Sequence, residues 1–364
     1  MNPWIAIVFT LSFIIVFHEW GHFIVARLIG VKVERFSIGF GPRLLKIQRG
    51  DTEYSISLFP IGGYVKMAGE SEEEGPKKPW EYRSRKVWER MAIVLAGPVM
   101  NYAVGFLLFA VIFMVGAPVV SLSDTARIGE VIPGYPAEAA GLQPGDTILT
   151  INGKEVSTWE EVTGIIHRET AEVELLLERE GQRFSKTVQP RLQEIRDERG
   201  DRVRVGMIGI SPVQNVEIVR YPVHQAVYLA GEKVWVLTVM TMEALWRMMT
   251  GGLSFKESLT GPVGIFRLTA TVAERGIVPL LQLIAILSTS LGFFNLLPVP
   301  VLDGGHFAFL FIEKIKGSPL SIRTQEMMVR MGLGLLLLLL VVVTYNDLVR
   351  FGIWNRIFPF FHSN

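Results

Sequence analysis

Apolar residues gather in four long runs, and between them polar and apolar positions alternate. A bilayer core about 30 Å thick needs about 20 apolar residues in helical form. The runs that meet this are Trp4 to about Leu28, Met91 to Val120, Ile277 to Ile312, and about Met327 to Val349. The third is too long for one ordinary span. Pro298 and Pro300 interrupt it, and Gly304 and Gly305 follow. Proline removes a backbone donor and clashes with the preceding turn. The pattern therefore predicts a helix, an extended break and a second half-helix. Irregular backbone at membrane depth persists only where protein or a wet cavity satisfies it.

The alternating stretches predict something else. Between the first two runs, "RLLKIQRGDTEYSISLF" reads as two strands around a Gly-Asp turn, and "FPIGGYVKMAG" follows with paired glycines, so 36–69 is a β-hairpin wedged between spans. Its strand edge would lie near the end of span one. From 124 to about 213 the chain reads as a water-facing domain, mainly β with two helices. It has an Asn-Gly hairpin turn, a second turn at Glu180-Gly181 and a last strand over "RVRVGMIGISP". Residues 223–249 form a mixed helix with Glu232, Lys233 and Glu243, expected to lie at the outer membrane surface. The fold class is a polytopic α-helical membrane protein of about four transmembrane helices, with a membrane-associated β-hairpin and an inserted α+β domain. Its divisions are membrane core 1–120, insert 121–215, surface helix and connector 216–276, and membrane core 277–364.

Composition supports that mixture. Of 364 residues, 49% are hydrophobic while 20% are charged, so part of the chain faces water. The net charge of +1 gives no argument for a nucleic-acid partner. There is no cysteine, which removes disulfides and thiolate chemistry. The first run lacks a basic flank and a small-residue cleavage site, so it reads as a retained helix rather than a signal peptide. Thirteen Lys and Arg lie between spans one and two, from Arg27 to Arg90, and Lys314, Lys316 and Arg323 between spans three and four. The positive-inside rule turns both segments to the cytoplasm and the insert outward. The acidic "GESEEEG" near residue 72 reads as a solvated loop.

The chemistry sits in "VFHEWGHFIV", where His18, Glu19 and His22 interrupt span one. His18 and His22 are four residues apart and share one helix face. Two imidazoles there can meet one zinc ion at about 2.0–2.1 Å, and the adjacent Glu19 can serve as a general base. A charge at the bilayer centre costs on the order of 2.5–3.5 kcal/mol on insertion scales, so three such groups need a reason. Structural histidines paired with Glu19 are one alternative, and a proton or ion relay in a carrier another. A catalytic zinc needs a third protein ligand. Span two offers Asn101, and span three offers Asn295, Asp303 and His306. Asp303 is the lone acid between Ile277 and Ile312 and stands at the break before two glycines. It is the better-placed ligand, with an N-cap for the half-helix as its ordinary role. His306 is read as a side chain steadying the ligands, and Asn101 as a second of that kind.

With these motifs assembled, the chain resembles the bacterial site-2 proteases of the regulator-of-sigma-E type, intramembrane zinc metalloproteases. The likeness rests on "HEWGH", "FPIGGYVKMAGE", "AGPVMN", "LTGPVGI" and "NLLPVPVLDGG" in order along nearly the whole chain. It implies His18, His22 and Asp303 as ligands of one Zn²⁺ per chain, Glu19 as general base, and Asn295 as a residue holding the substrate strand. Gly62 and Gly63 are further candidates for substrate contact. It also implies that the insert is a single PDZ domain of bacterial strand order, binding a C-terminal peptide or excluding bulky outer domains. "VGMIG" near Gly206 is its candidate carboxylate loop. The partners implied are a membrane-protein helix as substrate and the lipid bilayer. The expected location is the bacterial inner membrane, with the insert outside and the active site near the cytoplasmic face. The expected activity is cleavage of single-span proteins, of anti-sigma-factor or remnant-signal-peptide type, after a first cut by another protease. The competing reading is a PDZ scaffold or membrane chaperone with a vestigial zinc site.

Overall fold

Helix α1, Pro3–Ile29, opens with proline in its first turn and Asn2 accepting the Trp4 N–H at 3.0 Å. It stops at Gly30, whose left-handed backbone (φ 85°) returns its N–H to the carbonyls of Ala26 and Arg27. The computed structural model describes residues 2–70, 78–122, 125–196, 202–254 and 259–352. The acidic run from Ser71 lies outside them. By contact the chain divides into a unit of 1–115 with 221–364 and a second unit of 116–220.

In the first unit, strands β1, Val33–Arg49, and β2, Thr52–Met67, form the expected antiparallel hairpin. Its register is more folded than two straight strands. Phe36 pairs with Tyr54 on one side and with Val65 on the other, and Arg43 to Arg49 pair with Ser57 to Thr52. The hairpin is thus folded on itself, with 63–67 as one edge. Val33 and Met67 pack with Ala26, Val31 and Ile93, which fixes that edge beside α1. Helix α2, Val87–Val115, follows and contains Pro98. It ends five residues sooner than the apolar run suggests. Residues 117–122 form strand β3 of the second unit, because their apolar side chains belong to a β ladder rather than a span.

The second unit carries β3, Ala117–Leu122; β4, Ile128–Val131; α3, Pro136–Ala139; β5, Thr147–Ile151; β6, Lys154–Glu155; α4, Trp159–Ile166; β7, Val173–Arg179; β8, Gln182–Val188; β9, Arg191–Arg196; β10, Arg202–Met207; β11, Ile210–Pro212; and β12, Gln214–Val219. Its main sheet has the order β6-β5-β7-β8, with pairs β9-β10, β4-β11 and β3-β12. Both predicted two-residue turns form with positive φ at each position, 52° and 76° at Asn152-Gly153 and 51° and 81° at Glu180-Gly181. Ile128, Ile148, Ile151, Val162, Leu175 and Leu177 make a fully buried core. The single last strand expected over 202–212 is broken at Gly209 (φ 83°) into β10 and β11. The pairing of β3 with β12 carries the unit from Gly116 to Arg220, beyond the 121–215 read from sequence.

The first unit resumes with α5, Val223–Met249; α6, Pro262–Glu274; α7, Ile277–Asn295; α8, Asp303–Lys316; and α9, Ile322–Arg350. Helices α1, α2, α7 and α9 are long and apolar enough to cross a membrane. Helix α5 is not flat on a surface as expected. The Tyr221 N–H donates to the Phe113 carbonyl, Gly231 approaches Phe106, and Thr238 Oγ1 donates to the Tyr102 hydroxyl at 3.4 Å. It therefore runs antiparallel along α2. Small residues on one face (Ala226, Ala230, Gly231) allow that packing, while Glu232 and Glu243 stay exposed on the other. Helix α7 packs on α2 through Ser288, whose hydroxyl donates to the Asn101 carbonyl at 3.0 Å. The predicted break spans 296–302. There the Val299 N–H donates to the Leu297 carbonyl at 2.7 Å and the Leu302 N–H to the Val299 carbonyl at 2.8 Å. A side chain on Gly304 or Gly305 would overlap the carbonyls of Leu296, Leu297 or Val299, so only glycine lets α8 start against the break.

Candidate active site

His18 and His22 face the same way from α1, both buried, with their Nε2 atoms 3.2 Å apart. Each ring is held by its other nitrogen. His22 Nδ1–H donates to the Ile93 carbonyl at 2.8 Å, which leaves the lone pair on Nε2. Asn101 stands 3.2 Å from His18 Nδ1, while its Oδ1 is buried without a partner. A half-turn of the amide exchanges nitrogen for oxygen. It lets Oδ1 accept the His18 Nδ1–H and leaves His18 Nε2 its lone pair as well. Both partners come from α2. That helix comes so close at Gly97 that a Cβ there would overlap the His18 and His22 rings.

Asp303 is the first residue of α8, and Leu302 holds the N-cap position. The capping role considered for Asp303 is therefore not the one it plays. Its side chain turns to the imidazoles, with Oδ2 3.1 Å from His18 Nε2 and 3.6 Å from His22 Nε2. Oδ2 is buried and makes no directed hydrogen bond. One ligand atom from each of the three residues lies within 4.8 Å of the others. Two donors about 2.0–2.1 Å from one tetrahedral zinc stand about 3.3 Å apart. Three converging lone pairs at 3.1 to 3.6 Å fit that cation in spacing and in donor type.

Glu19 lies beside the pair and reaches the hairpin, where its Oε2 accepts the Val65 N–H at 3.1 Å. The strand edge next to the site is thus 63–67, in the last part of the expected 36–69 hairpin. A Cβ on Gly63 would sit 3.5 Å from the Glu19 side chain, and Gly62 (φ 117°) is covered by the Phe40 ring. His306 lies one turn beyond Asp303 with its ring edge-on to Phe309 at 6.0 Å. Among the described residues it makes no hydrogen bond to a ligand. Asn295 ends α7 half-buried, its amide without a described partner. A cavity of about 960 Å³ joins His18, His22 and Asp303 to Glu70, Tyr82, Arg90, His306, Glu313 and Gln325. Burial pushes the Tyr82 phenol up, so it stays neutral there. Two contributors escaped the sequence. The Ile93 carbonyl and the Val65 N–H are backbone groups, which no residue pattern announces. In the second unit, Gly206 lies inside β10 and its N–H donates to the His167 carbonyl at 3.1 Å.

Residues 6–339 match peptidase family M50. The chain is 30% identical to zinc metalloprotease RasP of Bacillus licheniformis, over 96% of this chain and 99% of that one. It is 31% identical to protease RseP of Yersinia pestis, over 95% and 98%. A PDZ domain of an SdrC-like protein from Listeria monocytogenes aligns over 26% of this chain and 92% of its own, with 22% identity and a TM-score of 0.20. A paired imidazole site closed by a carboxylate at a helix break, on a chain that matches this peptidase family almost end to end, makes the protein a member of peptidase family M50 and an intramembrane zinc metalloprotease.

Proposed function

We propose that the chain cuts the transmembrane segments of single-span membrane proteins, with His18, His22 and Asp303 holding the zinc and Glu19 moving the proton. The observation that carries this is the meeting, at one strand edge, of three metal-binding side chains and a carboxylate that none of them needs for its own hydrogen bonding. Zinc bound there supplies a Lewis acid that polarises a peptide carbonyl and acidifies water. Glu19 takes the proton of the attacking water and returns it to the leaving amine nitrogen. A transmembrane helix hides its peptide bonds in its own hydrogen bonds, so it reaches Glu19 only as an extended strand. The 63–67 edge offers that strand backbone partners. Val65 N–H is already turned away from β1 toward the site, which supports this register. Asn295, and Gly62 and Gly63, flank that path as substrate contacts.

The finer reading completes the proposal. The substrate is an anti-sigma factor or a remnant signal peptide already trimmed by another protease. The protein sits in the bacterial inner membrane with the insert outside and the site nearer the cytoplasm, in line with the basic segments. The insert is a PDZ domain that takes a C-terminal peptide or excludes bulky domains. Glu19→Gln keeps the size and removes the base. In purified protein with a model transmembrane substrate, it lowers the cleavage rate by about 10²–10⁴-fold with zinc retained. Undiminished cleavage by this variant contradicts the role of Glu19. Zinc retention with no cleavage by either protein favours the scaffold reading.

A further inference from the structure

Helix α8 begins afresh after the break, so the backbone of α7 does not fix its position rigidly. Its principal helical neighbour is α2. That is also the helix whose Ile93 carbonyl and Asn101 amide hold the two imidazoles. Asp303, His306, Leu310 and Glu313 follow one another at intervals of three and four on one stripe of α8, and all four line the cavity. At the far end of that stripe, Glu313 Oε1 accepts from Arg90 Nη2 at 2.5 Å. Arg90 is 13% and Glu313 15% exposed, so this pair is largely withdrawn from solvent. Arg90 stands three residues before Ile93 on α2. A charge pair of this kind holds its partners firmly because either member, left alone, is a buried unpaired charge.

We propose that the Arg90–Glu313 pair is a clamp that keeps α8 in register with α2 and so keeps the Asp303 carboxylate on the imidazole pair. Both are positioning residues, and the proposal rests on the ligand assignment above. Neither touches the reacting atoms. The clamp acts on metal affinity, since a helix free to slide along α2 or turn about its own axis carries Asp303, its first residue, away from the Nε2 atoms. A direct hydrogen-bond partner of a zinc ligand is worth about 10–100-fold in metal affinity, and the clamp, which acts on Asp303 through α8, is expected at the lower end of that range.

The test uses the full chain in detergent, with zinc affinity measured by chelator competition and the absorption spectrum of the cobalt-loaded protein as the second readout. Glu313→Gln and Arg90→Gln are each expected to weaken zinc binding at least tenfold and to alter the cobalt spectrum. The charge exchange Arg90→Glu with Glu313→Arg is expected to recover both. Affinity and spectrum unchanged in the two single variants overturn the clamp, as does an exchanged protein no better than either. If the single variants do not accumulate as folded protein, the exchanged one decides alone. Native-like affinity there supports the clamp, and weak binding overturns it. His18→Ala is the control that separates the two readings. Native protein that binds zinc no better than this control brings down the ligand assignment itself, whereas a native–control difference with tight-binding clamp variants brings down only the clamp.

Discussion

The two units of this chain both bury apolar side chains, and they differ in the polar groups they take inside and in the apolar ones they leave outside. The unit of 116–220 buries isoleucine, valine and leucine and exposes charge, as at Ile148, Leu175 and Leu177. In the rest of the chain the buried residues include Thr10, His18, His22, Asn101, Ser288 and Thr289, while Leu335, Leu338 and Val341 of α9 stand 61–65% exposed. The difference teaches what each part uses as solvent. Lipid does not reward burying leucine, so helix contacts there select small and polar residues that hydrogen-bond across the interface. Among the polar residues that the fold brings inside are His18, His22 and Asn101 of the site.

Substitutions should therefore separate the two units sharply. Removing Asp303 has the largest effect. Asp303→Ala is expected to abolish cleavage and strip the zinc, measured as metal per chain after dialysis, while the melting of the 116–220 unit is unchanged. Next comes Asn101→Ala, which takes the hydrogen-bond partner from His18 and is expected to weaken zinc by about 10–100-fold in chelator competition. In the second unit the cost moves from metal to stability. Leu175→Ala is expected to destabilise that unit by about 2–5 kcal/mol in hydrogen exchange of its amides, because it opens a cavity in a closed core.

A smaller effect tests the polar exception in that unit. The Asp146 side chain is fully buried and accepts from Arg179 Nε at 2.6 Å and Nη2 at 2.8 Å. Burial alone would push its carboxyl up. The Arg179 hydrogen bonds and the Gln143 N–H outweigh this and hold it below the usual carboxylate range. A depressed folded value means the stabilisation is present at neutral pH and is lost as pH falls below about 4 through the folded value. Arg179→Ala is expected to destabilise the unit by less than Leu175→Ala, because Arg179 is 32% exposed and the pair is only partly withdrawn from solvent. It should also change the loss of stability toward pH 3, read from the same amides. The smallest change is Leu338→Ala on α9, expected to fall within about 0.5 kcal/mol. A cost near that of Leu175→Ala would show that α9 packs on something and would break the comparison.

What the sequence disclosed follows the same division. Charges at His18, Glu19, His22 and Asp303 were legible because apolar runs make any titratable group conspicuous. The half-helix was legible from Pro298, Pro300 and the paired glycines. The two hairpin turns were legible from their glycines, and Asn152 tolerates the left-handed region as well, whereas Glu180 adopts it (φ 51°) without that tolerance. The failures are equally physical. Residues 117–120 look like the end of a span because hydropathy does not distinguish an apolar strand from an apolar helix. Helix α5 looks like a surface helix because its charges count against insertion while its small face, which packs on α2, carries no strong signal. The hydrogen bonds from the Val65 N–H to Glu19 and from His22 to the Ile93 carbonyl need a fold before they exist.

The central claim is that His18, His22 and Asp303 share one zinc. Zinc X-ray absorption of the native chain in detergent, with metal counted per chain, addresses it most directly. The account predicts one zinc with two imidazole nitrogens at about 2.0–2.1 Å and oxygen completing the shell, and loss of that signal in His22→Ala. A native chain prepared without chelator that holds no zinc, or a His22→Ala chain whose absorption spectrum is unchanged, would contradict it.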